Sequence, residues 1–316
     1  MLLVIRKLAW HQTSEQADGA MNCITVFGGT GFLGCRVVRH LRASGAAVRS
    51  ASRHPGRVDR DDRVERIAAD VNDERSIEAG VAGADGVVNA VSLYVERASK
   101  TFRSVHVEAA GRIASAARRA GVKRLAHVSG IGADPVSSSP YIRSRGEGEA
   151  AVQAAFPGST IVRPAVMFAQ DDGFLTRILE LLRMLPAYPM FGTGRAKLQP
   201  AYADDVAAAI SQVLQQDETP HHIYELAGPG VYSYEDLLRT IARRAGLRPV
   251  LIRVPFALWS ALASLAETLP QPPLTRTQVE LMQIDTIASH WPGFRELGIS
   301  PRSLEQELEA MLKQGA

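Results

Sequence analysis

The hydrophobic pattern of the chain alternates between two periods. Short β-like runs, several of them interrupted by polar residues, sit at Ile24–Phe27, Ala46–Arg53, Arg66–Asp70, Gly86–Val91, Lys123–Ser129 and Ser159–Val162, the last stopped by Pro164. Between them lie stretches of helical spacing, such as Cys35–Leu41, Ser76–Ala82 and residues 99–120, where Val105, Ala109, Ile113 and Ala117 share a face. Buried strands alternating with helices predict right-handed βαβ units and a parallel sheet wound on both sides.

From Ala165 onward the pattern changes. A helix carrying Phe174, Ile178, Leu181, Leu182 and Leu185 leads into a loop rich in Pro and Gly, followed by a helix at Val206–Gln215 and a strand at Ile223–Ala227. Ser233 with Asp236 three residues later caps a helix running to about Ala245, and further helices are expected at 256–269, 275–287 and 303–313. Phe256, Trp259, Leu262, Leu265 and Leu269 form one helical stripe, which reads as core-facing in preference to membrane-facing because its polar side is Ser and Ala with Glu267 and lacks Lys and Arg.

Residues 28–34 read Gly-Gly-Thr-Gly-Phe-Leu-Gly, between the first strand and the first helix. Gly28 permits a tight turn off the strand. Gly31 leaves room for a pyrophosphate, and Gly34 allows close packing of the helix whose amide end faces the phosphates. A strand before the turn and a helix after it make this a nucleotide-binding motif. The fold class is therefore α/β, a Rossmann-type doubly wound parallel sheet with a smaller, mostly helical C-terminal lobe. Residues 1–20 read as a disordered extension, 21–165 as the dinucleotide-binding domain with 205–227 returning to it, and 166–316 as mainly the substrate lobe.

The end of the second strand selects the nucleotide. An acid there would hold the ribose 2′-hydroxyl of NAD. This chain has Ser52 and Arg53 instead, then His54 and Arg57, with Arg36 able to join from the first helix. A hydroxyl and a guanidinium suit a 2′-phosphate, so NADP is favoured over NAD.

Composition narrows the remaining classes. The 316 residues carry 36 Lys and Arg against 33 Asp and Glu, a net charge of +3, without a basic block of the kind that binds nucleic acid. Five of the 36 basic residues are Lys, so a single Arg carries little information. Cys23 and Cys35 read as small buried thiols of a reducing compartment, and His221-His222 as a surface cap on a strand. No apolar run is long enough to span a bilayer. These features point to a cytoplasmic protein, or to one peripheral at the inner face of the membrane.

Ser129 ends the fifth strand, and Tyr141 opens the following helix with Arg145 one turn later on the same face. A phenol beside a cation can exchange a proton with a carbonyl or hydroxyl while hydride moves, and a serine can hold the same oxygen. The catalytic candidates are Ser129, Tyr141 and Arg145.

With these residues the chain resembles the short-chain dehydrogenase/reductase superfamily, in its extended and atypical branches. The resemblance is carried by the glycine turn, Asp70-Val71-Asn72-Asp73, Ser129, Tyr141 and Arg163-Pro164. It looks closest to the branch of the NADH dehydrogenase (ubiquinone) 1 alpha subcomplex subunit 9 proteins, through Thr160–Pro164, Gln199–Val206 and Leu274–Val279. The resemblance implies that Asp70 bonds the adenine and that Ser129 and Tyr141 are the catalytic serine and tyrosine. It also implies Lys where this chain has Arg145, and Arg is too bulky and planar simply to replace that ammonium on the nicotinamide ribose. The cofactor set is then Gly28, Thr30, Gly31, Phe32, Leu33, Gly34, Ser52, Arg53, Asp70, Val71 and Ala90. Two functions follow: an NADP(H)-dependent oxidoreductase or epimerase acting on a hydroxyl or carbonyl of a small molecule, or a non-catalytic NADPH-binding accessory of a respiratory or ubiquinone-synthesis complex.

Overall fold

The structure, a computed structural model, describes residues 23–57, 64–97, 100–216, 221–270, 272–289, 291 and 293–314. The expected extension at 1–20 and the expected start of the long helix at residue 99 lie outside the described residues. Four of the five side chains of Cys23–Phe27 (β1) are buried. Helices cover both faces of this strand, which is why its sequence shows no alternation.

In chain order there follow Phe32–Ala43 (α1), Ala47–Ser52 (β2), Val64–Ala68 (β3), Glu74–Val81 (α2) and Gly86–Asn89 (β4). Next come a π-helical turn at Arg103–Ala109 running into Ala110–Arg119 (α3), then Arg124–Val128 (β5), Pro140–Ala155 (α4) and Thr160–Pro164 (β6). These are followed by Met167–Phe168 (β7), Leu175–Met184 (α5), Ala187–Phe191 (β8), Lys197–Leu198 (β9), Ala201–Tyr202 (β10), Ala203–Gln215 (α6) and Ile223–Leu226 (β11). The chain ends with Tyr232–Ser233 (β12), Tyr234–Arg244 (α7), Val250–Val254 (β13), Phe256–Ala266 (α8), Arg276–Leu281 (α9) and Leu304–Gln314 (α10).

Seven strands form one sheet in the order β11-β6-β5-β4-β1-β2-β3, and every neighbouring pair is parallel. Val37, Val38 and Leu41 of α1 pack with Val206, Ile210 and Val213 of α6 in the core on one face. Ile77 of α2, Ile113 of α3 and Val152 of α4 pack in the core on the other. The sheet is thus doubly wound. Its order reverses at β1, whose neighbours are β2 and β4, and a crevice opens beyond the carboxyl ends of strands at such a reversal.

A third core, with Leu175, Ile178, Tyr188, Met190, Leu237 and Ile241, belongs to the C-terminal lobe. This lobe holds more strand than its sequence suggests. The Pro- and Gly-rich stretch after α5 contains β8, which pairs with β13 in parallel from Ala187–Val250 to Phe191–Val254. The expected helix at 275–287 ends at Leu281, because Thr286 is drawn into backbone pairing: its N–H donates to Lys197 and its carbonyl accepts from Gln199. Ser233 caps α7 as expected, its hydroxyl accepting from the Asp236 N–H.

The leucine stripe of α8 departs from expectation. Leu262, Leu265 and Leu269 are 47%, 70% and 53% exposed, and Ala263 is the buried position of the helix. Trp259 anchors α8 instead, its ring 4.5 Å from that of Phe191 and its indole N–H donating to the Met190 carbonyl at 3.3 Å. The stripe is amphipathic, but its leucines are not core.

Candidate nucleotide and catalytic site

The turn after β1 is built by close backbone approach. Gly28 adopts φ +80°, a region that favours glycine, and its N–H donates to the Ala51 carbonyl at 2.9 Å. A Cβ on Gly34 would lie 2.1 Å from the Gly28 carbonyl oxygen. Gly34 therefore lets α1 press on the turn itself rather than on the sheet. Gly31 is the N-cap of α1, and with no capping side chain and no acid in the first turn, the amide end of the helix is left open.

Gly28, Thr30, Gly31, Phe32 and Leu33 line one cavity of about 1300 Å³. The same cavity is lined by Ser52 and Arg53 after β2, Asp70 and Val71 after β3, Ala90 after β4, and by Ser129, Tyr141 and Arg145. Gly34 is buried behind this wall. Thirteen of the fourteen residues singled out in the sequence thus come together across five strand ends. Arg36, thought able to join them, does not. Its guanidinium donates to Asp171, to Asp204 at 3.3 Å and to the Phe32 carbonyl at 2.7 Å, which turns it away from the cavity.

Two hydroxyls on the cavity wall, Ser52 Oγ and Ser129 Oγ, are buried without a protein hydrogen-bond partner. Buried hydroxyls are ordinarily satisfied, and their position fits a polar ligand along this wall. Arg53 and His54 lie exposed at the edge next to Ser52. Asp70 accepts from the Asn72 N–H at 3.0 Å, which shapes the turn after β3.

Tyr141 stands in an aromatic and cationic frame. Its hydroxyl accepts from Arg145 Nη2 at 3.0 Å, its ring stacks on Tyr94 at 5.9 Å, and Phe102 and His106 meet it edge-on at 5.4 and 5.5 Å. Arg145 is buried and donates further to Ser92 Oγ at 2.5 Å and to the Val128 carbonyl at 3.3 Å. Burial works against its charge. Tyr141 and Tyr94 favour the charge, and the guanidinium is held above its ordinary value.

Several residues of this frame escaped the sequence reading. His106 bridges the Ser144 hydroxyl at 2.9 Å and the Leu93 N–H at 3.1 Å, and His127 meets the Asn89 amide at 3.1 Å. Burial, reinforced by Arg145, brings His106 down to about 2 and His127 to about 3, so both rings are neutral. The π-helical turn carries His106, and its carbonyl lies so close to α4 that a Cβ on Gly148 would sit 2.1 Å from it. The Gly-x-Gly at 146–148 inside a helix was the available signal, since mid-helix glycines need a packing reason.

Sheet order, glycine turn and cavity together define a Rossmann-type nucleotide-binding protein. The profile of the NAD dependent epimerase/dehydratase family matches residues 24–227, more than half of the chain, and the protein belongs to that family. It is 31% identical over 295 residues to the rat NADH dehydrogenase [ubiquinone] 1 alpha subcomplex subunit 9, mitochondrial, covering 89% of this chain and 77% of that one. A ceramide reductase of Caulobacter vibrioides is 31% identical over 247 residues, covering 76% and 75%. Among solved structures, the Citrobacter triphenylmethane reductase complexed with NADP(H) superposes with a TM-score of 0.72 at 19% identity, covering 92% of this chain and 99% of that one.

Proposed function

We propose that the protein is an NADP(H)-dependent oxidoreductase that reduces a carbonyl, or oxidises the corresponding hydroxyl, at Tyr141. The observation that carries this reading is the unpartnered, buried Ser129 hydroxyl on the same cavity wall as Tyr141 and the glycine turn. The open amide end of α1 would hold the pyrophosphate, Ser52 and Arg53 the 2′-phosphate, and Asp70 the adenine. A nicotinamide nucleotide bound there supplies or takes up the hydride. Ser129 would orient the substrate oxygen, and Tyr141 would give or receive its proton. Arg145 donates to the Tyr141 oxygen and keeps a positive charge beside it. Arg145 acts here through the tyrosine, since three of its contacts are already made within the chain.

A second reading is supported by those same contacts and by the rat relative, named as a subunit of NADH dehydrogenase. The protein would then hold NADPH as a structural ligand and associate with a membrane-bound respiratory or quinone-synthesis complex, peripheral at the inner face of the membrane. No described helix is long and apolar enough to cross a membrane.

One experiment separates the two. NADPH consumption is followed with a panel of quinones, ketones and aldehydes, in parallel with NADPH affinity by calorimetry. For the enzyme, Tyr141→Phe lowers turnover by about 100-fold or more and leaves NADPH affinity unchanged. Turnover that survives in Tyr141→Phe removes the tyrosine from the mechanism. Tight NADPH binding with no turnover of any acceptor favours the structural role.

A further inference from the structure

The cavity is larger than a dinucleotide site requires. Small-molecule and cofactor sites usually measure about 300–1,000 Å³, whereas this one reaches about 1300 Å³ and runs on past Tyr141 into the C-terminal lobe. Its far limb is lined by Ile178 and Leu181 of α5, Phe191 of β8, Trp259 and Leu262 of α8, and Leu281 of α9.

Most polar groups of this limb are already engaged in part or in full. Asp172 accepts from the Phe174 and Leu175 amides at the start of α5, and Arg177 pairs with Glu180. The Tyr188 and Tyr234 hydroxyls bond each other at 3.0 Å, and Gln278 closes the capping box of α9 with Thr275. Among the described residues of the limb, Thr286 leaves a buried hydroxyl unpartnered. A sugar or a second phosphate bound here would exchange its hydration for few partners, chiefly the Thr286 hydroxyl, the Gln278 side-chain amide and the largely exposed Arg177, a cost that an apolar chain does not incur. The limb is also open at its end. Leu262 lines the cavity and is 47% exposed, and Leu265 continues the same apolar face at 70% exposure.

We propose that the far limb holds the apolar tail of a long-chain alkyl or isoprenyl substrate, with its carbonyl or hydroxyl head at Ser129 and Tyr141. The position of the head rests on the oxidoreductase reading; occupation of the limb by the tail does not. The tail fills the slot between α5 and α8, and its free end leaves beside Leu262.

Trp259 provides a readout that needs no turnover. The NADPH-loaded protein is titrated with ω-bromoalkanols from bromobutanol to bromododecanol while tryptophan fluorescence is followed. Bromine in the limb quenches Trp259, and affinity rises by about three- to fourfold for each methylene that is fully buried. Trp259→Phe removes the quenching but, by calorimetry, keeps the dependence on chain length. Leu281→Arg weakens the longest chain at least tenfold and leaves NADPH affinity unchanged. Competition by farnesol against dodecanol then shows whether the preferred tail is branched and unsaturated or straight, and either preference supports the proposal. Affinity that does not change with chain length, or quenching that persists in Trp259→Phe, overturns it. If the protein fails to bind NADPH, the nucleotide reading falls while the chain-length series on the unloaded protein still decides the tail.

Discussion

Arg53 stands at the exposed edge of the cavity, one residue beyond the buried, unpartnered hydroxyl of Ser52. A guanidinium there distinguishes the two nicotinamide nucleotides only through the 2′-phosphate, so its removal should be felt by one of them. Arg53→Ala is expected to weaken NADPH by about tenfold or more, the worth of a charge-assisted contact of about 1.5–3 kcal/mol, and to leave NADH nearly unchanged. Titrating both nucleotides by calorimetry checks this, and equal losses would sink the preference for NADP. Arg145 presents the opposite situation, a guanidinium deep inside the protein. Among the described residues no carboxylate pairs with it, and Glu149, which favours its charge from further away, accepts from Nε and Nη2 of Arg163 at 2.9 and 2.6 Å. Its charge is met by a phenol, a hydroxyl and a carbonyl, an arrangement suited to stabilising negative charge that develops on the Tyr141 oxygen.

At the scale of elements, β5 and the π-helical turn set the acid response of the fold. His127 on β5 and His106 in the turn are held at about 3 and about 2, against an ordinary 6.5. Below about pH 6.5 the unfolded chain takes up protons that the fold refuses. Stability is therefore complete above that pH and declines as pH falls, by up to about 1.4 kcal/mol per unit for each ring. Urea unfolding between about pH 6.5 and 5 should show this slope before most carboxylates titrate, and His127→Asn should roughly halve it, leaving the share of His106. A wild-type stability that stays level across that window would mean the folded rings take up protons as readily as the unfolded chain does.

The same elements show what could be read in advance. Strands β1 and β4 were legible because helices on both faces leave them short, mostly apolar runs without alternation, and the glycine turn because backbone approach excludes every larger residue at Gly34. The two histidines were not legible, since a single polar residue on an apolar face carries no period. The α8 stripe misled for a related reason: spacing records that a face is apolar but not what lies against it. Strands β8 and β13 lie more than fifty residues apart, and Pro189 within β8 disguises the pairing.

At the scale of the whole molecule, the sheet is finished only by residues far along the chain. β11 supplies the strand beside β6, and α6 supplies Val206, Ile210 and Val213 to the core under α1. Arg36 of α1 ties the same helix down through Asp204 and reaches beyond the sheet to Asp171, in the segment after β7. A fragment of residues 21–165 should therefore fail to melt cooperatively and should associate through the bare edge of β6, whereas a fragment reaching residue 227 should recover a cooperative transition. Calorimetric scans with size-exclusion chromatography test this, and a stable, monomeric 21–165 fragment would contradict it.

That late-arriving edge also sets a timetable for synthesis. At about 5–20 residues per second, a ribosome needs roughly 3–12 s to add the sixty or so residues that separate Pro164 from Ile223. Throughout that interval Ile161 and Val162 of the nascent sheet border an unpaired edge. The chain should be most dependent on chaperones after its sixth strand has emerged and before its eleventh is made.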